Sequence, residues 1–195
     1  MAGGAEFAIL GLGNPGAEFV GTRHNVGGAA VDLLCRRFGV SLRTEKGTHA
    51  RVAAVEADGR RVIFAICETF MNDSGLAATG VVSRFLDGDA TRLVVVHDEL
   101  DLAPGIVRIK VGGGTAGHNG LRSINQHLKR LDFCRVRIGV GKPRSKEHGA
   151  EHVLSRPSRA ESELILLGVE LAADAVEAII GEGYDQAMTE VNARQ

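Results

Sequence analysis

Short apolar runs alternate with segments of helical periodicity along most of the chain, and that alternation is the pattern of an α/β domain. EFAILGL (6–12) reads as a buried strand and Asn25–Phe38 as a helix, with Ala29, Ala30, Leu33, Leu34 and Phe38 on one face. ARVAAVEA (50–57) and RVIFAIC (61–67) flank Asp58-Gly59, a hairpin signal that makes the sheet mixed. RLVVVHD (92–98) is the most continuous apolar run and belongs at the centre of the sheet. IVRIKV (106–111) and FCRVRIGVG (133–141) alternate apolar and basic residues, as half-exposed strands do. Helices are predicted from Asp73 or Ser74 to about Phe85, over about 119–131, and over 160–181. The polar, proline-punctuated stretch 142–158 reads as a mobile loop or short lid. At 195 residues the chain has the length of one domain, 1–195, expected as a mixed twisted β-sheet flanked by helices on both faces.

Charge is divided along the chain. Residues 108–146 hold ten Lys/Arg and one acid, Asp132, a local +9, while residues 147–195 hold ten acids and three Arg, a local −7, so the total of −1 conceals a basic block. Such a block is a footprint for a polyanion, unless it is a solvated surface paired with the acidic C-terminal helices. Only eight aromatic residues are present, which argues against rows of stacking rings as the main recognition device. Cys35, Cys67 and Cys134 are odd in number and lack C-x-x-C spacing, so no disulfide framework or zinc knuckle is expected. No stretch reaches 18 apolar residues and the first residues lack a basic signal-peptide region, so no membrane span is expected and the cytoplasm is the expected location.

Four unusual polar segments follow four of the strands: GNPGAEFVGTRHN, ETFMND, HDELD and GGGTAGHNG. Ligands of open α/β sheets bind at the carboxyl ends of parallel strands. Insofar as these strands run parallel, Asn14, His24, Asn72, Asp98 and Asn119 are delivered to one rim. GLGNPG (11–16) fits G-x-G-x-x-G, but Pro15 and the run to Thr22 delay the next helix, and no acid ends a second strand about twenty residues on. A tight turn exposing Asn14, or a plain turn former, fits better than a dinucleotide site. His24 sits at a loop–helix boundary, where an imidazole of ordinary pKa, about 6.5, either caps the helix or takes a proton from water. As a base it needs a carboxylate to fix its tautomer, and Asp98, ending an apolar strand, is the candidate. The other histidines (His49, His97, His118, His127, His148 and His152) show no comparable partner, and none has metal-ligand spacing, so no metal is expected. No serine lies in G-x-S-x-G and no cysteine in an activating motif, which leaves water as the nucleophile of a hydrolase. The glycines of 112–117 permit close approach to an anion, and Asn119 stands at a helix start, as N-cap or as ligand. Asn72 is open to the same two readings. Lys110, Arg137, Lys142, Arg144 and Lys146 are candidate phosphate contacts.

Taken together and in order, GLGNPGAEFVGTRHNVG, ETFMNDSG, HDELDLAPGIVRIKVGGGTAGHNGLRSI and FCRVRIGVGKP resemble the bacterial peptidyl-tRNA hydrolase family over roughly residues 6–180. The resemblance implies an esterase that separates a peptide from the 3′ ribose of tRNA, a metal-free, cofactor-free, single-domain and usually monomeric α/β protein with no obligate protein partner. It implies His24 as catalytic base, Asp98 as the residue holding it, and Asn14 as the residue placing the attacked group. By the same resemblance Phe19, Phe70, Asn72 and Asn119 line the substrate cleft, and Lys110, Arg137 and Lys146 meet tRNA phosphates. Three departures stand out: Phe19 replaces the family's usual tyrosine, Cys67 a common proline, and Ala116 a usual glycine, the last harmless unless the position needs a positive φ. A non-catalytic RNA-binding relative, as in organellar splicing factors, is the alternative; retention of His24, Asp98 and Asn14 together argues against it.

Overall fold

The computed structural model describes residues 4–143, 145 and 148–194. Seven strands form one mixed sheet: β1 (Phe7–Gly11), β2 (Arg43–Glu45), β3 (Ala50–Ala57), β4 (Arg60–Cys67), β5 (Leu93–Glu99), β6 (Val107–Val111) and β7 (Cys134–Gly139), in the order β2-β3-β4-β1-β5-β7-β6. The inner four, β4-β1-β5-β7, are mutually parallel, and antiparallel strands close both sides. Among the described residues there are six helices: α1 (Val26–Arg37), α2 (Ser74–Phe85), α3 (Asn119–Leu128), α4 (Gly149–Leu154), α5 (Arg159–Glu182) and α6 (Tyr184–Ala193).

Strand alternation divides the core into two layers. Ile9, Phe64, Val94, Val96, Val136 and Ile138 face α1 and α5, while Leu10, Ile63, Ala65, Leu93 and Val95 face α2 and α3. Being covered on both faces, β5 is buried at every position, which is why its sequence is a continuous apolar run. Asp58 and Gly59 both have positive φ, 51° and 73°, as a tight β3–β4 hairpin requires. Helix α1 crosses the sheet in backbone contact: a Cβ at Gly27 would lie 2.1 Å from the Val96 carbonyl oxygen, so only glycine brings this helix start so close. That approach seats the turn before α1 at the carboxyl ends of β1 and β5.

Three of the predicted segments take a different form in the structure. Strand β6 runs antiparallel to β7, so it ends at the edge opposite the rim, with Val111 paired to Cys134 at the start of β7. The glycine-rich run must therefore climb back across the sheet before α3 begins, and the rim is reached by that loop rather than by a strand end. Helix α3 ends at Leu128, with Lys129 in the left-handed conformation at φ 56°, short of the predicted 131. The stretch read as a loop at 142–158 contains α4, while Arg144, Lys146 and Glu147 lie outside the described residues. Among the described residues, no helix is long and apolar enough to cross a membrane.

Candidate active site

Residues Arg23–Asn25 form a 3-10 turn immediately before α1, and this turn carries His24, 6% exposed, to the rim. Asp98 arrives from the end of β5, 2% exposed. Their side chains meet: His24 Nδ1 lies 2.8 Å from Asp98 Oδ1, across 74 positions of chain. The same oxygen is 2.9 Å from Nε2 of His118, whose ring lies 5.0 Å from that of His24.

Elementary hydrogen bonding assigns the tautomers. His118 is the N-cap of α3, and its Nδ1 accepts from the backbone N–H groups of Gly120 and Leu121 at 3.1 and 3.4 Å. A nitrogen that accepts carries no proton, so the proton of His118 is on Nε2, where it is donated to Asp98. The Asp98 carboxylate accepts from His24 Nδ1–H as well, which leaves Nε2 of His24 as the basic nitrogen. Burial pushes the Asp98 carboxyl up, but the neighbouring His118 and His24 more than reverse this, and it is held well below the ordinary carboxylate range. Asp98 is therefore an anion serving two imidazoles. Donor atoms of His24, Asp98 and His118 all lie within 4.8 Å of one another, so these three residues are the candidate metal ligands of the described chain. The α3 cap opposes that use, because it keeps a proton on the Nε2 that a metal would have to displace.

The rest of the rim is tied to this centre through Asn25. Its Oδ1 accepts from the Asn14 N–H and its Nδ2 donates to the Asn14 carbonyl, both at 2.9 Å. Asn14 Oδ1 in turn accepts from the Met71 N–H at 2.7 Å. That donor fixes which amide atom is oxygen, so the Asn14 NH2 group points away from Met71. Phe19 and Phe70 meet edge to face at 6.2 Å between ring centroids, Phe70 being 54% exposed. A cleft of about 680 Å3 opens above His24, Asp98 and His118, lined further by Asn119, Ala116, Leu100 and Val153.

Several expected residues stand elsewhere or serve differently. Asn72 is exposed in the 3-10 turn Met71–Asp73 and caps nothing; Asp73 is the N-cap of α2, without a side-chain bond. Asn119 is the first residue of α3 rather than its cap, and its Oδ1 accepts from Arg122. Lys110 is exposed on β6. Arg137 donates through Nε to the buried Glu99 at 3.0 Å. Arg135, 3% exposed, holds the carbonyls of Gly113 and Gly114 at 2.7 Å and so shapes the glycine-rich loop. Lys146 lies outside the described residues. Ala116 has φ 48°, so its position does require the left-handed region, and alanine there is strained. The three cysteines are buried, with thiols pushed up by burial to about 11 for Cys35 and about 12 for Cys67 and Cys134.

His118 and Asn25 escape sequence reasoning because neither has a local signal of its role: one is set beside Asp98 by the returning loop, the other beside Asn14 by α1. Arg23, Glu99 and His97 are missed for the same reason. His97 packs its ring 5.0 Å from that of His118 and donates from Nδ1 to the Asp98 carbonyl at 2.7 Å.

Residues 8–195 match the family model described as Peptidyl-tRNA hydrolase. The chain belongs to that family. Relatives include the peptidyl-tRNA hydrolase of Cutibacterium acnes, 44% identical over 96% of this chain and 98% of its own, and that of Nocardia farcinica, 42% identical over 94% and 95%. A crystal structure of peptidyl-tRNA hydrolase from Acinetobacter baumannii superposes with a TM-score of 0.89 at 35% identity, covering 99% of this chain and 97% of that one. Family membership and the mixed α/β sheet thus agree with what GNPG, TRHN, FMN, HDELD and GHNG implied.

Proposed function

We propose that this chain hydrolyses the ester that joins the C-terminal carboxyl of a peptide, or of an N-blocked amino acid, to the 3′ ribose of tRNA. Its family supplies the substrate class, and the observation that carries the chemistry is the buried His24–Asp98 pair at 2.8 Å beneath an open cleft. Nε2 of His24 takes a proton from water as the water oxygen bonds to the ester carbonyl carbon. Asp98 stays ionised and stabilises the imidazolium. The tetrahedral adduct then collapses, the carbon–ribose oxygen bond breaks, and the proton on Nε2 passes to the ribose oxygen. Peptide acid and tRNA leave, and His24 is neutral again.

The negative charge that develops on the carbonyl oxygen needs a donor placed in advance. Asn14 suits this, since its Oδ1 is committed to Met71 and its NH2 is turned away from that bond. Asn119, at the N-terminus of α3, adds an amide where the helix dipole favours an anion. Phe19 and Phe70 offer an apolar edge to the substrate, and Lys110 and Lys146 attract phosphates, while Arg137 is held by Glu99. All the catalytic groups come from one chain, so the reaction needs no second subunit, and a monomer acting in the cytoplasm, where translation makes the substrate, is the fitting form. A non-catalytic RNA-binding module would have no use for a desolvated base–acid pair. In a dinucleotide fold the first helix would open from the third glycine, whereas here α1 begins at Val26.

Incubation with labelled N-acetyl-aminoacyl-tRNA, followed by acid precipitation, tests this. Loss of label is expected from the wild type and a fall of roughly 10²–10⁴-fold in His24→Ala, with tRNA affinity kept. Undiminished release by His24→Ala, or binding without release by the wild type, would overturn the reading.

A further inference from the structure

We infer that Arg23 is a positioning residue for His24, a clamp that locks the turn carrying the base to the wall of the cleft above it. The inference rests on the proposed role of His24. A single guanidinium, 6% exposed, gathers partners from two elements, α4 and α5. Nη1 donates to the His152 carbonyl at 3.2 Å, to the Ser155 carbonyl at 3.3 Å and to Ser155 Oγ at 2.7 Å, all at the C-terminal end of α4. Nη2 meets both oxygens of Glu161 at 3.2 Å, in the first turn of α5. The Arg23 backbone N–H adds a bond to the Ser155 carbonyl at 3.3 Å.

Each partner stiffens the next. Glu161 completes a capping box with Ser158, and its carboxyl is lowered to about 2, chiefly by the Ser158 hydroxyl and backbone and then by Arg23. The carboxylate is therefore charged at neutral pH. Helix α4 supplies Gly149, Ala150 and Val153 to the cleft, beside His24. Because His24 follows Arg23 directly, a shift of the guanidinium is a shift of the base. His24 has its own bond to Asp98, but a single bond to Nδ1 sets the ring's distance and leaves it able to tilt about that contact. The clamp fixes the backbone from which the ring projects. Buried arginine is the residue suited to this, since its planar fork serves carbonyls on one edge and a carboxylate on the other, which one ammonium cannot do. Nε of Arg23 has no hydrogen-bond partner among the described residues, so the two Nη atoms carry all of the side chain's share of the clamp.

Arg23→Lys and Glu161→Gln break the clamp from opposite sides, and glutamine at 161 preserves the capping box. Both are measured for kcat and KM per folded molecule, and for the low-field proton signal of His24 Nδ1–H, which is assigned by its absence from His24→Ala. A displacement of about 1 Å costs up to about 10²-fold in rate, so each variant is expected to lose about tenfold or more in kcat, with KM within about threefold. The low-field signal should shift in both, and the double variant should be no slower than the slower single one. Unchanged kcat and an unmoved signal, with only a lower melting temperature, would reduce Arg23 to a structural residue and overturn the inference. If Arg23→Lys does not fold, Glu161→Gln and Ser155→Ala decide by the same criteria. A wild type that releases no label defeats the proposed function instead, and the proton signal still reports on the clamp.

Discussion

His97 shows how one side chain at this site shapes the response of the whole fold to acid. Its Nδ1 is used by the Asp98 carbonyl, and its Nε2 is buried with no partner among the described residues. Burial first, and then the neighbouring His118, lower its pKa to about 3 from an ordinary 6.5. Between those values the unfolded chain holds a proton on this residue that the native one does not. Stability from this residue is therefore lost as pH falls below about 6.5. Asp98, with a lowered carboxyl, acts further down: its contribution is present above the ordinary carboxylate range and disappears only below it. Comparing pH 7 with pH 5 thus separates His97 from Asp98. Urea unfolding of the wild type should lose about 2 kcal/mol more over that interval than His97→Leu does. Equal losses would mean that the imidazole is hydrated or protonated in the native state. The sequence exposes His97 only as a neighbour of Asp98, because a burial-driven shift depends on what packs against the ring.

At the scale of elements, α3 is held at its start by an imidazole, an unusual cap that joins helix stability to the Asp98 carboxylate. The two duties separate by substitution. In His118→Asn a favoured cap oxygen remains, but the shorter side chain does not reach Asp98, whereas His118→Ala loses both. His118→Ala should be less stable than His118→Asn by about 1 kcal/mol in urea unfolding, while both have reduced kcat. Equal stability of the two variants would show that the ring caps nothing. Periodicity disclosed the strands and helices that meet the core, since β5, α1 and α5 each bury an apolar face that their sequences declare. It did not disclose β2, α4 or α6. The residues of β2 are half-exposed or exposed, without alternation. In α4 only Val153 is buried, and in α6 only Ala187 and Val191, too few for a periodic face. The antiparallel run of β6 was hidden because an alternating strand has the same pattern in either direction.

For the whole molecule, the issue is how much of the +9 block remains available to a polyanion. Acids of the C-terminal third are met by Arg23, Arg37, Arg159 and Arg194, so those described pairs leave the basic block to other uses. Of its ten cations, Arg130 pairs with Asp132, Arg137 with Glu99 and Lys142 with Asp101, and Arg135 is buried on loop carbonyls. Those four engagements set six as the upper bound on the phosphates that the block can meet. Arg108, Lys110, Arg135 and Arg137 share the β6–β7 surface opposite the one that packs Val107, Ile109, Val136 and Ile138 into the core. Binding that releases one counterion per neutralised phosphate makes log K fall linearly with log salt, with a slope of roughly −0.9 per contact. Ten contacts would give a slope of about −9. Six or fewer give one no steeper than about −5, and a single face of this size points to a value of about −2 to −5. Filter binding of uncharged tRNA between about 50 and about 200 mM salt measures it. Lys110→Glu should flatten the slope by about one contact without altering kcat for bound substrate. A slope near the ten-contact value would mean that the internal ion pairs open on binding, and a flat response would remove the basic face from tRNA recognition altogether.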